Sequence, residues 1–238
     1  MRSRTTCRSL RFIFEYAVAP HAGAVARNDK AILVPGATGS GKSSLIAWLV
    51  DRAFDYLTDE ITLLVHAGAN VVGLPRAMVI KPGADKSVLE LSAFAGAASI
   101  RSAEQLMLEA PGGKRGGPVS CGLIVFPEFS DGAEIRVEAL SAAAAALRLM
   151  ACNLNARNLP DGGFAAINKL ARSAPAVSLV YGAYGQLEGV IDTLAHTVLN
   201  GDRDPAEMRR FLSASSSASK RAPLRCPASI ACHRTTSK

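Results

Sequence analysis

The sequence predicts an α/β fold built on a mixed parallel and antiparallel sheet with flanking helices, and three observations carry that reading. First, "AILVPGATGSGKSSLIAWLV" runs an apolar strand pattern into a glycine-rich turn, then into apolar residues at helical spacing. Second, "AGAVA" with "AILV", and "ITLLV" with "VVGLP", are short apolar pairs joined by turn residues and read as antiparallel hairpins. Third, strand-like "GLIVF" and "AVSLVYG" alternate with helix-like "AAAAALRLM" and "GGFAAINKLARSA", as in a sheet covered by helices. With 49% hydrophobic residues in 238, the chain can bury one substantial core.

The elements follow in order. An apolar stretch runs to Ala19 and breaks at Pro20; Asn28-Asp29 then turns the first hairpin. Behind the glycine turn, Leu45, Ile46, Leu49, Val50 and Ala53 give a helix one apolar face. "FDYLTDEITLLV" reads as one strand with Asp59-Glu60 in its middle, and "HAGAN" returns it into "VVGLP". A short helical stretch is expected after Phe94. "PGGKRGGP", residues 111–118, holds four glycines and two prolines, so it reads as a loop; Lys114 and Arg115 make it a candidate mobile element near a charged ligand. "GLIVF" is a buried strand that Pro127 should end, and Ser141 should cap the alanine-rich helix. Residues 186–200 read as a helix stopped by Gly201, and Asp204-Pro205 starts a last short one. The expected organisation is a basic arm over 1–11, one domain over 12–212, and a disordered Ser/Ala-rich basic tail over 213–238.

Charge placement narrows the partners. The formal charge is +7, but nine of the 27 basic residues lie in the two ends, which contain no acid. The middle keeps 18 bases against 20 acids, so the excess describes solvated tails and not a nucleic-acid surface. Five cysteines at irregular spacing, with no C-x-x-C, make a poor disulfide framework. Cys121 and Cys152 read as small core residues, and a reducing cytoplasmic location is expected. Glu15 interrupts "RFIFEYAVA", leaving it too short and charged for a signal peptide or a membrane span.

Gly36-Ala37-Thr38-Gly39-Ser40-Gly41-Lys42-Ser43 fits G-x-x-x-x-G-K-[ST], the phosphate-binding loop. Between a strand and a helix, such a loop turns its backbone N–H groups around phosphates at the positive end of the helix. Lys42 would reach the β- and γ-phosphates and Ser43 would hold Mg²⁺, with Ser44 following on the helix. A nucleoside triphosphate, ATP with Mg²⁺, is the ligand implied. A G-protein would carry N-K-x-D, whereas Asn168-Lys169-Leu170-Ala171 lacks the aspartate; a transporter ATPase signature is also missing.

Phosphoryl transfer also needs an acid for the metal or the nucleophile. Asp59 and Glu60 lie seventeen and eighteen residues after Lys42; Glu128 follows the more hydrophobic strand "LIVFP". Pattern alone leaves both open.

A family resemblance bears on the choice. "PHAGAV", "AILVPGATGSGKSSLIAWLVDRAFDYLTDEITLL" and "GLPRAMVIKP" resemble the C-terminal kinase domain of the HPr kinase/phosphorylase family, with a likeness over roughly residues 17–200 and specific motifs in 21–82. The resemblance implies that Asp59 is the acid near the γ-phosphate, as base or metal partner, with Glu60 beside it at the metal where an aspartate is usual. It implies that His21 supports the acid or the phosphates, and that Arg76 and Lys81 reach phosphate oxygens. It further implies an ATP- and Mg²⁺-dependent serine kinase acting on a small protein or peptide, in a homo-oligomer. The alternative is a nucleotide-binding regulatory or accessory module with little catalysis.

Overall fold

The computed structural model describes residues 17–191, apart from 69, 75, 82–87, 95–98, 102–105 and 110–116. The basic arm, the tail, the helix start at Asp204-Pro205 and nearly all of the 111–118 loop, Lys114 and Arg115 included, lie outside the described residues.

Strands β1 (Ala22–Arg27) and β2 (Lys30–Pro35) form the expected hairpin, with Ala26 opposite Ala31. Asn28 and Asp29 both take the left-handed region, at φ 51° and 59°, the geometry of a tight two-residue hairpin turn. Helix α1 (Lys42–Asp51) follows the glycine loop. The chain then gives β3 (Asp55–Thr58), β4 (Thr62–Val65), β5 (Asn70–Gly73) and β6 (Met78–Ile80), then β7 (Ser99–Arg101) and β8 (Leu106–Leu108). The long β9 (Val119–Phe129), β10 (Arg136–Leu140), helices α2 (Ala142–Ala151) and α3 (Phe164–Ser173), and β11 (Ala176–Tyr181) complete it.

Eight strands form one curled sheet in the order β10-β11-β9-β2-β1-β3, with β5 also on β9 and β4 on β5. β9 runs parallel to both β2 and β11; every other pairing is antiparallel. β4 reaches back to the chain before β1, where Leu64 N–H donates to Val18 O at 2.8 Å. The mixed sheet is the one expected from hairpins beside a strand–loop–helix unit.

Strand alternation sorts the core into two layers. On one face Val25, Ile32, Val34, Leu123, Val125, Val177 and Leu179 pack with Leu45, Ile46, Trp48 and Leu49 of α1. On the other, Ala24, Ala26, Ala31, Leu33, Ile124 and Phe126 meet Ala145 and Leu149 of α2 and Ile167 and Leu170 of α3. A fully buried Leu or Ile contributes about 1.5–3 kcal/mol. A small sheet, β6-β8-β7, covers the far side of α1 with Met78, Ile80, Leu106 and Leu108. α1 lies so near the sheet that a Cβ at Gly23 would come within 2.8 Å of Ile46 Cγ1.

Several expectations are corrected. α1 is buried nearly all round, because the small sheet covers the face that periodicity left polar, and Ala53 lies exposed beyond its end. "FDYLTDEITLLV" is two strands. β3 pairs with β1 and β4 with β5, and the chain bends at Asp59-Glu60 to change partners, Ala22 N–H donating to Glu60 O at 2.9 Å. β7 and β8 stand where a helical stretch was expected. β9 runs through Pro127 to Phe129, since pairing with β2 stops at Ile124 and no N–H is needed on that edge. Phe129 N–H, two residues on and facing the same way, donates instead to Ser40 O at 3.2 Å. After β11 the chain takes a short 3-10 turn, Tyr184–Gln186, and the rest of the expected 186–200 helix is described only to Ile191. Ser141 caps α2 as expected, accepting from Ala144 N–H at 3.2 Å.

Candidate functional site

The glycine loop crosses from β2 to α1 at the edge of the sheet, where β2 ends. Gly41, the last residue before the helix, holds φ at 91°, and any side chain there would meet Tyr181 Oη at 2.8 Å and Phe129 Cβ at 2.9 Å. Glycine is therefore required twice over, by conformation and by space. The Tyr181 hydroxyl donates to Gly41 O at 3.2 Å and the Tyr184 hydroxyl to Ser44 O at 3.3 Å, so two tyrosines hold the start of α1. No side chain caps that start. The first-turn amides of a helix lack partners within it and carry the positive end of its dipole. An uncapped start beside a cleft fits an anion.

Asp59 sits at the bend between β3 and β4 and is buried, with 3% of its surface exposed. Tyr56 Oη donates to Asp59 Oδ1 at 3.0 Å and Val79 N–H to Oδ2 at 2.9 Å. Ser43 Oγ, on the first turn of α1, is 3.4 Å from the same Oδ2. Burial and the Asp59 carboxylate push the Tyr56 phenol well above its ordinary pKa, so Tyr56 remains a donor that orients the acid. Glu60 turns the other way and is ion-paired with the Arg76 guanidinium, whose Nε lies 3.9 Å from Asp59 Oδ1.

These groups line a cleft of about 920 Å³ together with His21, Thr38, Gly39, Lys42, Lys81 and Tyr184. That volume lies in the range of small-molecule sites. Lys42 is buried, and its Nζ donates to Ala37 O at 2.8 Å. Desolvation lowers the Lys42 pKa; nearby Cys152 and Asp59 oppose the shift and Lys81 adds to it. Desolvation also lowers His21, with the Lys42 charge acting in the same sense, so His21 favours the neutral ring.

The structure gathers most of the sequence-predicted residues in one cleft and places four of them behind the loop. Thr38, Gly39, Gly41, Lys42, Ser43, Ser44, Asp59, Glu60, Arg76, Lys81 and His21 share the cleft. Gly36, Ala37 and Ser40 line a smaller cavity of about 380 Å³ behind the loop, where His21 also appears. Glu128 belongs to that smaller cavity. It alternates with Ile124 and Phe126 on the α2–α3 face of β9, opposite the α1 face that Tyr56 shares with the site. Cys152 is a half-buried free thiol at the end of α2 near Lys42 and not a plain core residue, whereas Cys121 packs against the α2–α3 cluster as expected, burial pushing its thiol up to about 12.

Tyr56, Val79, Tyr181 and Tyr184 carry the geometry without being singled out by the sequence. Tyr181 ends β11 and Tyr184 follows it, where aromatics are ordinary, and Val79 acts through its backbone. Among the described residues no three His, Cys, Asp or Glu side chains converge on a metal position. Ser43 and Asp59 offer two hard oxygens side by side, which fits Mg²⁺ held mainly by water and phosphate oxygens. No helix among the described residues is long and apolar enough to cross a membrane.

No protein-family model matches the sequence, and no curated protein matches it. Among solved structures, the HPr(Ser) kinase/phosphatase from Coxiella burnetii is similar over 85% of this chain and 98% of that chain, at 10% identity and a TM-score of 0.33. The relationship is a distant structural one.

Proposed function

We propose that the protein is an ATP-dependent, Mg²⁺-requiring kinase that transfers the γ-phosphoryl group to a serine hydroxyl of a small protein or peptide. One observation carries the reading: a buried, oriented carboxylate, Asp59, lies 3.4 Å from Ser43 at the uncapped start of α1, inside a cleft large enough for a nucleotide. The glycine loop and Lys42 cradle the phosphates. Mg²⁺, with Ser43 and Asp59 as its protein oxygens, would neutralise charge on the β- and γ-phosphates. The acceptor oxygen attacks the γ-phosphorus, the bond to the β,γ-bridging oxygen breaks, and ADP leaves. Asp59 orients the hydroxyl and takes its proton; Tyr56 and Val79 N–H keep the carboxylate aimed. Positioning and charge neutralisation supply most of the acceleration in such a transfer.

Binding is read first, as stability. Ligand at a hundred times its Kd adds about 2.7 kcal/mol, roughly 5–10 °C in Tm for a domain this size. Mg-ATP should give that shift with the wild type and none with Lys42→Ala. Labelled ATP with a panel of small carrier proteins and serine peptides then reads transfer. Flat melting curves with both ATP and GTP would overturn the proposal. Binding without transfer to any acceptor would favour the regulatory module.

A further inference from the structure

Two adjacent carboxylates in the cleft are built differently, and the difference concerns Arg76. The Asp59 side chain is 2% exposed and its oxygens are engaged by Tyr56, Val79 N–H and Ser43. Glu60 is 40% exposed and its carboxylate is turned to Arg76, itself 42% exposed. Ser43 therefore reaches Asp59 while Glu60 faces a cation. We infer that Glu60 is not a metal ligand but the holder of Arg76, and that Arg76 is the cation that distinguishes a nucleoside triphosphate from a diphosphate. The inference rests on the nucleotide reading above.

Exchange of partners follows from exposure and charge. An ion pair between half-exposed side chains is held weakly, so the guanidinium can leave Glu60 at small cost, giving up with it only the long 3.9 Å contact of its Nε to Asp59 Oδ1. Phosphate offers it more charge than a carboxylate and accepts the same forked pair of N–H groups. The bonds on Asp59 are buried, so Asp59 stays while Arg76 moves. The cleft's cations are Lys42, Lys81 and Arg76, with His21 favouring its neutral ring; its acids are Asp59, Glu60 and Asp131. With the charges balanced in the free protein, an incoming triphosphate needs a cation released to it. Arg76 is the one whose nearest partner, Glu60, is itself half-exposed. Lys42 already points into the loop, at Ala37 O. Arg76 also sits three residues before Val79, whose N–H is bonded to Asp59, so its backbone is held close to that acid while its side chain is 42% exposed. The extra methylene of glutamate carries the Glu60 carboxylate out to Arg76 and away from Ser43, which gives the longer acid a purpose.

The test measures Kd for Mg-ADP and for a non-hydrolysable Mg-ATP analogue, with a Mg²⁺ titration at fixed analogue. It uses wild type, Arg76→Ala, Arg76→Lys, Glu60→Gln and Asp59→Asn, and the ligand-free Tm of each confirms folding. Arg76→Ala should weaken the ATP analogue by about tenfold or more, the scale of a charge-assisted hydrogen bond, and ADP by much less. Arg76→Lys should recover part of the difference. Glu60→Gln should raise the Mg²⁺ requirement far less than Asp59→Asn does, because Glu60 faces Arg76 while Asp59 stands beside Ser43. Equal weakening of both nucleotides by Arg76→Ala would overturn the sensing role. A Mg²⁺ requirement raised in Glu60→Gln as strongly as in Asp59→Asn would make Glu60 a metal ligand and overturn the inference on that side. In either case the wild type still binds nucleotide and the kinase reading stands; a wild type that binds neither nucleotide overturns both together.

Discussion

The two faces of the main sheet are packed by different means, and the candidate chemistry lies on only one of them. Toward α1 the strands present branched and aromatic side chains, and the cluster contains Trp48, Tyr56 and Tyr181. Toward α2 and α3 they mix Ala22, Ala24, Ala26, Ala31 and Ala176 with larger residues such as Leu33, Ile124 and Phe126, and the alanines are met by Ala145, Ala146 and Ala171. Large interlocking side chains hold a position tightly; alanines let backbones approach and leave little for a side chain to lean on. Glu128 continues Ile124 and Phe126 on the α2–α3 face of the hydrophobic β9, whereas Asp59, two residues past Leu57 of that same cluster, is turned by the bend after Thr58 toward Tyr56 and Ser43. The bend, and not the hydrophobicity of the strand, decides which acid stands beside Ser43.

The sharpest way to break this comparison is to exchange the acids' fates. Asp59→Asn keeps the shape and removes the charge, so it should retain most Mg-ATP binding and lose turnover by about 10²-fold or more. Glu128→Gln should change steady-state kinetics little. The reverse pattern would move the chemistry to the α2–α3 face.

Packing is tested next. Leu49→Ala on the α1 face should destabilise by about 2–5 kcal/mol in chemical denaturation, the cost of a cavity among large neighbours. Ala24→Val on the opposite face adds volume where there is none to spare, and should cost about 1–3 kcal/mol through overpacking. Equal tolerance of enlargement on both faces would remove the distinction.

The smallest effect concerns His21. Its folded pKa lies below the ordinary value, with desolvation as the main cause. Above the unfolded value of about 6.5 both states are neutral and His21 contributes no slope. As pH falls below that, the unfolded chain binds the proton more readily, so stability drops toward the folded pKa. Melting curves between pH 8 and pH 5 should show this loss, and His21→Asn should make it shallower. An identical profile in the variant would show that His21 is not desolvated.

Much of the fold was legible because its signals are local. Asn28-Asp29 turns a hairpin by its own backbone preference, Ser141 caps α2 with its own hydroxyl, and the glycine loop announces a strand before it and a helix after it. What escaped depends on partners far away in sequence. The break at Asp59-Glu60 exists because β3 and β4 pair with different strands, which an unbroken apolar run does not record. β6, β7 and β8 are three residues each, too short to show a period. Pro127 looked like a strand end because the sequence does not say which edge of β9 goes unpaired. At the site the acid and the loop were legible as residue types. Tyr56, Tyr181 and Tyr184 were not, since a tyrosine that aims a carboxylate and one that fills a core look alike in sequence.

The hydroxyls of Tyr181 and Tyr184 close on Gly41 and Ser44, each across 140 residues of chain. A ribosome releases the glycine loop long before it releases either tyrosine. β9, which lies between β2 and β11 in the sheet, is also made late, so the newborn loop has neither its neighbouring strand nor its tethers. On the nucleotide reading proposed above, the cradle is finished only when β11 docks, so the ligand should give no stability to a chain that stops short of it. Binding should appear only in chains long enough to carry both Tyr181 and Tyr184.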